Sequence, residues 1–162
     1  MTLSTHAKGT ITELAVQKAF IEQGFNVSVP ICADSRYDMI ADLNGQLFRV
    51  QTKTARPVKD SNAFQISLKS TRTHRYGVIE KKYSSEDVDL FATCYNGDVY
   101  VIPQQMVNDM TSCIFRFSSA NNQTQNVRYA DYFRLDNVME RWNSQCQIQN
   151  NQQSLLDYNN YS

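Results

Sequence analysis

An α/β fold is predicted by three stretches of this chain. Near Ala7 to Gln23 the apolar residues recur at helical spacing and the stretch stops at Gly24, the usual place for a helix-ending glycine. Asn44-Gly45 lies between two runs of β-type residues, and Asn96-Gly97 lies between two more. Asn-Gly is a strong signal for a two-residue hairpin turn, because both central residues adopt positive φ there. One helix followed by two hairpins, with further helical segments after them, is an α/β pattern.

The first hairpin sets a register. With Asn44-Gly45 as the turn, Leu43 pairs with Gln46, Asp42 with Leu47, Ala41 with Phe48, Ile40 with Arg49 and Met39 with Val50. Asp38 then faces Gln51, and Lys53 lies two residues on, on the same face as Gln51. Opposed side chains sit about 5 Å apart at Cβ, so a carboxylate, an amide oxygen and an ammonium converge at the hairpin's open end. Met39, Ala41, Leu43, Phe48 and Val50 form the other, core-facing side.

In the N-terminal helix, which Thr5 or Thr10 starts, Ile11, Leu14, Ala15 and Ile21 share one face. Val16 and Phe20 lie on the other, with Glu13 beside them. A helix apolar on two sides is expected to be buried on two sides, which leaves Glu13 partly buried or aimed along an edge into a cleft.

Asn26 to Val29 reads as a short strand, followed by a surface loop from Ile31 to Arg36. A second loop spans Arg56 to Asn62, and Phe64 to Leu68 alternates as a strand. Lys69 to Gly77 is basic and rich in hydroxyls, with neither period. Val88 to Tyr95 and Val99 to Ile102 flank the second Asn-Gly turn, and Pro103 opens a short helix through Met110. Cys113 to Phe117 is a strand, Ser118 to Asn126 a long polar loop, and Val127 to Phe133 its returning partner. Asp136 caps a last helix with Val138, Met139 and Trp142 inside. One domain over residues 1–142 is expected, with residues 143–162 a polar tail rich in Asn and Gln.

The charge is unevenly spread. The formal net charge is +0, yet Arg49 to Lys82 holds nine basic residues against two acidic. Such a block points to contact with a polyanion, with Lys69, Arg72, Arg75, Lys81 and Lys82 the candidates for DNA phosphates. Four scattered cysteines match no zinc spacing and read as reduced thiols of a cytoplasmic protein. No apolar run is long enough to span a membrane.

The order helix with Glu13, strand with Asp38, strand with Gln51-Thr52-Lys53 resembles the PD-(D/E)-x-K nuclease superfamily. Asp38 matches its Asp, Gln51-Thr52-Lys53 its (D/E)-x-K element, and Glu13 the helix carboxylate many members carry. The pattern looks most like homing endonucleases of bacterial group I introns and Holliday-junction resolvases. Tyr37 stands where the family name has Pro, and Gln51 replaces an acid. The resemblance implies a restriction-endonuclease-like mixed central sheet flanked by helices, here with an additional β-hairpin region. It also implies hydrolysis of duplex DNA with Mg²⁺ or Mn²⁺ held by Asp38, Gln51 and Thr52, with Glu13 and Lys53 completing the catalytic set. Because one such site cuts one strand, a homo-oligomer, dimer or tetramer, is expected. The helix around Trp142 and the tail after it are the candidates for the subunit contact. A junction resolvase, or a DNA-binding module whose nuclease site has decayed, are the alternatives.

Overall fold

A computed structural model describes residues 2–32, 34–59, 62–74, 77–118 and 127–145. The N-terminal helix α1 covers Thr5–Glu22. Its cap is Ser4, whose hydroxyl accepts the Ala7 N–H at 3.1 Å, rather than Thr5 or Thr10. Gly24, at φ 89°, ends it in the left-handed region that glycine adopts without a Cβ penalty.

Five strands form the central sheet in the order β1 (Asn26–Ser28), β2 (Met39–Leu43), β3 (Gln46–Thr52), β8 (Leu90–Tyr95), β9 (Asp98–Pro103). Neighbours are antiparallel except β3 and β8, which run parallel through Val50–Leu90, Gln51–Phe91 and Thr52–Ala92. The sheet is therefore mixed. Both Asn-Gly turns form as read, with Asn44 and Asn96 each at φ 53°. The β2–β3 register is the expected one, from Met39–Val50 to Leu43–Gln46. Met39, Ala41 and Val50 are fully buried beneath α1, against Val16 and Phe20.

Between β3 and β8 the chain builds two further pieces. Strands β4 (Arg56–Pro57) and β5 (Ala63–Ser67) join β10 (Ser112–Arg116) in a small sheet around stacked Phe64 and Phe115. Strands β6 (Lys69–His74) and β7 (Gly77–Lys82) form a separate two-stranded ribbon. The aperiodic reading of Lys69 to Gly77 is thus corrected. Strand pairing itself needs no alternation of side chains, because the ladder bonds are made by backbone groups alone, so a ribbon can form from a sequence without the period of two.

After β9 a single 3₁₀ turn, Gln104–Val107, replaces the helix expected to run to Met110, and Pro103 ends β9 instead of opening that helix. Tyr129 makes one parallel bridge to Arg116, and Ala130–Phe133 is a helical turn, α2, not a returning strand. The last helix, α3, spans 135–145. Asp136 lies inside its first turn, paired with Arg134, rather than at the cap. Leu135 and Met139 are buried against the sheet, and Trp142 packs edge-on to Phe48 at 5.4 Å between ring centroids. The loop residues 119–126 and the tail beyond 145 lie outside the described residues.

Candidate active site

The site forms at the end of the β2–β3 hairpin remote from its turn. Asp38 precedes β2, and its N–H donates to the Val50 carbonyl at 2.9 Å, which carries the ladder one residue beyond the strand. Its Oδ2 accepts the Thr52 N–H at 2.7 Å and the Gln51 side-chain amide at 2.5 Å. Lys53 follows β3, fixed by a 2.8 Å bond from its N–H to the Ala92 carbonyl of β8. The parallel β3–β8 ladder therefore sets where Gln51, Thr52 and Lys53 stand.

Burial pushes the Asp38 carboxyl above its ordinary pKa, opposed by the Thr52 N–H, the Lys53 ammonium and the Gln51 amide. Glu13 projects from the middle of α1 towards the same place. Burial raises its pKa first, and the Asp38 charge raises it further, while His6 lowers it. Burial is the main cause at both carboxyls, and the Asp38 charge felt by Glu13 puts the two within electrostatic reach of each other. The Thr52 backbone carbonyl is a further oxygen here, while the buried Gln51 side chain turns its NH₂ to Asp38 Oδ2 and, at 3.3 Å, to that carbonyl, so its own oxygen enters the set only when the amide turns over. A hard oxygen set of mixed charge suits Mg²⁺ or Mn²⁺. Among the described residues no three His, Cys, Asp or Glu side chains cluster, because Gln51 occupies the place a third acid would take.

Lys53 has partners that spacing along the chain does not reveal. Its Nζ donates to the Tyr83 hydroxyl at 2.9 Å and to the Lys69 carbonyl at 3.1 Å, and lies 4.5 Å from the Tyr83 ring centroid. The Arg36 guanidinium is 4.7 Å from that same centroid. Arg36 in turn binds Asp87 through two bonds, at 2.9 and 3.0 Å, and holds the Asp87 carboxyl well below the usual carboxylate range. Tyr83 is thus clamped between two cations, and a salt bridge fixes one of them.

Residues 3–136 match the model of a known family, that of the PD-(D/E)XK endonucleases. The chain belongs to the PD-(D/E)XK endonuclease family. It is similar to Protein 5.3 of Escherichia phage T7, with 27% identity over 107 residues, covering 66% of this chain and 86% of that protein. Its fold is similar to that of a bacterial homing endonuclease, I-Ssp6803I. The TM-score is 0.68 at 21% identity, over 93% of this chain and 99% of the other.

In this nuclease Asp38, Gln51, Thr52 and Lys53 come together as the sequence suggests, with Glu13 electrostatically coupled to Asp38. The basic candidates are more dispersed. Lys69 and Lys82 face each other at the base of the ribbon. Lys69 Nζ bonds Glu80 at 2.6 Å and Lys82 Nζ the Asp109 carbonyl at 3.0 Å, so both ammonium groups have partners within the chain. Arg72 lies on β6 opposite Ile79, and Lys81 on β7 opposite Ser70. Arg75 lies outside the described residues. Sequence reasoning missed Tyr83 and Arg36, which stand 30 residues after and 17 before Lys53 with no spacing that links them. No described helix is long and apolar enough to cross a membrane, and Cys32, Cys94 and Cys113 are unpaired thiols.

Proposed function

We propose that this nuclease is a metal-dependent, site-specific endonuclease of the homing type that hydrolyses phosphodiester bonds of duplex DNA. The observation that carries the proposal is the convergence of Asp38, Gln51 and Lys53 where β3 meets β8, with Glu13 coupled to Asp38. The fold likeness to a homing endonuclease over nearly the whole of both chains supports the homing type.

Asp38 and the Thr52 carbonyl would hold Mg²⁺ or Mn²⁺, joined by the Gln51 amide oxygen once that amide turns its NH₂ away from both of them, with Glu13 adding the second negative charge. A bound divalent ion supplies an acidified water and neutralises charge on the phosphate. The protein's own part is positional. Asp38 is oriented by the Thr52 N–H, which engages its Oδ2 and leaves Oδ1 as the oxygen to offer a cation. Lys53, held on Tyr83, orients the attacking water, takes part in its deprotonation or offsets charge developing on phosphorus. The β6–β7 ribbon with Arg72 and Lys81, joined by Arg75, contributes phosphate neutralisation along the duplex. Because one site cuts one strand, the working form is a homo-oligomer, dimer or tetramer. Residues 1–142 act as one nuclease domain, and residues 143–162 are an appended polar segment.

Purified protein with plasmid and with a synthetic four-way junction, with Mg²⁺, Mn²⁺ or a chelator, tests this. Metal-dependent cuts in the plasmid at defined positions are expected. Asp38→Ala and Lys53→Ala should each lower the rate at least about 100-fold while DNA binding persists. Near wild-type cutting by either variant refutes the site. DNA binding with no cleavage under any metal favours a decayed site, and a preference for the junction favours a resolvase.

A further inference from the structure

Helix α1 is apolar on two opposite sides, and the described residues bury only one of them. Thr12, Val16 and Phe20 are buried on the sheet. At about 100° per residue, Val16 lies half a turn round from Ala7, and the residues around Ala7 form a second line: Ile11, Leu14, Lys18 and Ile21. Ile11 is 53% exposed, and Leu14 and Ile21 are each 59% exposed. Among the described residues the expected burial on two sides is therefore met on one side alone. The spacing from Ala7 through Ile11, Leu14 and Lys18 to Ile21 alternates four and three, the seam of two helices packed side by side.

The charges beside this line identify the occupant. Lys8, near one end of α1, and Glu22, at the other, lie on the same flank of the stripe and are both exposed. Two copies of α1 set antiparallel about a two-fold axis bring Ile11 opposite Ile21 and Leu14 opposite Lys18. The same superposition puts Lys8 of each copy beside Glu22 of the other. The Lys18 stem then covers Leu14 while its ammonium keeps its 2.6 Å bond to Glu22 of its own helix. Parallel pairing instead puts the two Lys8–Glu22 flanks on opposite sides of the seam, where neither charge meets its opposite. An antiparallel two-fold contact is self-complementary by symmetry, and this helix face meets that condition in shape and in charge. We infer that the outer face of α1 is an antiparallel self-pairing surface between two copies of this chain.

This moves the subunit contact away from the Trp142 helix and the tail, where the sequence alone suggests it. The Trp142 ring is engaged with Phe48 of its own chain. The inference extends the proposed two-copy cleavage, but its test reads assembly without DNA or metal. Failure of cleavage leaves the pairing standing, and failure of the pairing leaves the cleavage reading standing.

The test is sedimentation equilibrium of the full chain up to about 100 μM, a range suited to a contact at the small end of stable interfaces. A dimer or a multiple of it is expected, and Leu14→Glu should weaken association at least tenfold with an unchanged melting curve, since Leu14 is exposed. Lys8→Glu and Glu22→Lys should each weaken association several-fold, and the two together in one chain should restore it. A monomer throughout the range overturns the inference, as does association that Leu14→Glu leaves unchanged. A charge-swapped double variant no better than its single parents overturns the antiparallel geometry.

Discussion

Lys53 and Tyr83 form a pair, ammonium to hydroxyl at 2.9 Å, with the same ammonium 4.5 Å from the ring centroid. The lysine that the family pattern assigns to chemistry is therefore aimed by a side chain on the strand-to-loop junction after the ribbon. Its second bond, to the Lys69 carbonyl, ties it to the ribbon's first residue.

Tyr83 should act as a positioning residue. Tyr83→Phe keeps the ring and the cation–π contact but loses the hydroxyl, and Tyr83→Ala loses both. We expect a fall in single-turnover cleavage of about tenfold for Phe and about 100-fold for Ala, the scale of a small misplacement of a reacting group. DNA affinity should stay unchanged. Equal rates for wild type and both variants would show that Lys53 needs no such support.

Gln51→Glu tests what the amide contributes. The Gln51 amide donates to Asp38, so a glutamate there sets a second carboxylate against a buried one. The metal-free variant should melt lower than wild type at pH 8, and Mg²⁺ should raise its melting temperature more than it raises that of the wild type. Melting curves with and without Mg²⁺ at several concentrations measure both effects. Cleavage is expected to survive.

Glu13 carries a pH signature. Its pKa is raised in the folded protein, so the folded state binds the proton more tightly than the unfolded chain does. Its ionised form therefore costs stability. That cost is absent below the ordinary carboxylate range, grows as pH rises through the raised value, and is complete above it. Glu13→Gln removes it, so the variant should melt above wild type at pH 7 to 8 and level with it at about pH 3. Lower activity should accompany this gain, since the same charge is proposed to help hold the metal.

Neutralising Arg72 and Arg75 should weaken binding to all duplex sequences alike. The dependence of log affinity on log salt should become shallower by about one unit for each phosphate that is no longer neutralised. Titrations from low to moderate salt measure the slope, and an unaltered slope would place the DNA surface elsewhere than the ribbon.

Much of the site was legible because two local signals determine it. Asn44-Gly45 forces positive φ at both residues, and from that turn the pairing brings Asp38 to Gln51 by counting. The ribbon was not legible: its hydroxyl and basic residues carry no alternation, and its two strands pair only with each other, outside the central sheet. Tyr83 was not legible because its bond to Lys53 depends on how the whole insertion between β3 and β8 folds back. The length of the segment after Pro103 was misread because proline suits a strand's last residue as well as a helix's first turn. The outer face of α1 was read correctly as apolar but assigned a burial that the described residues do not provide.

The parallel ladder between β3 and β8 has a consequence for the order in which the site is assembled. The hairpin that joins Asp38 to Gln51 is local and closes in microseconds. The Val50–Leu90 pairing must first draw together the ends of the long segment that carries β4, β5 and the ribbon, and loop-closure entropy is spent before any ladder bond returns it. Acid and amide therefore meet early on the folding path, while the Lys53 N–H reaches the Ala92 carbonyl late. A partly folded chain holds half a catalytic centre, and hydrogen exchange during refolding should show the Lys53 amide protected after those of β2.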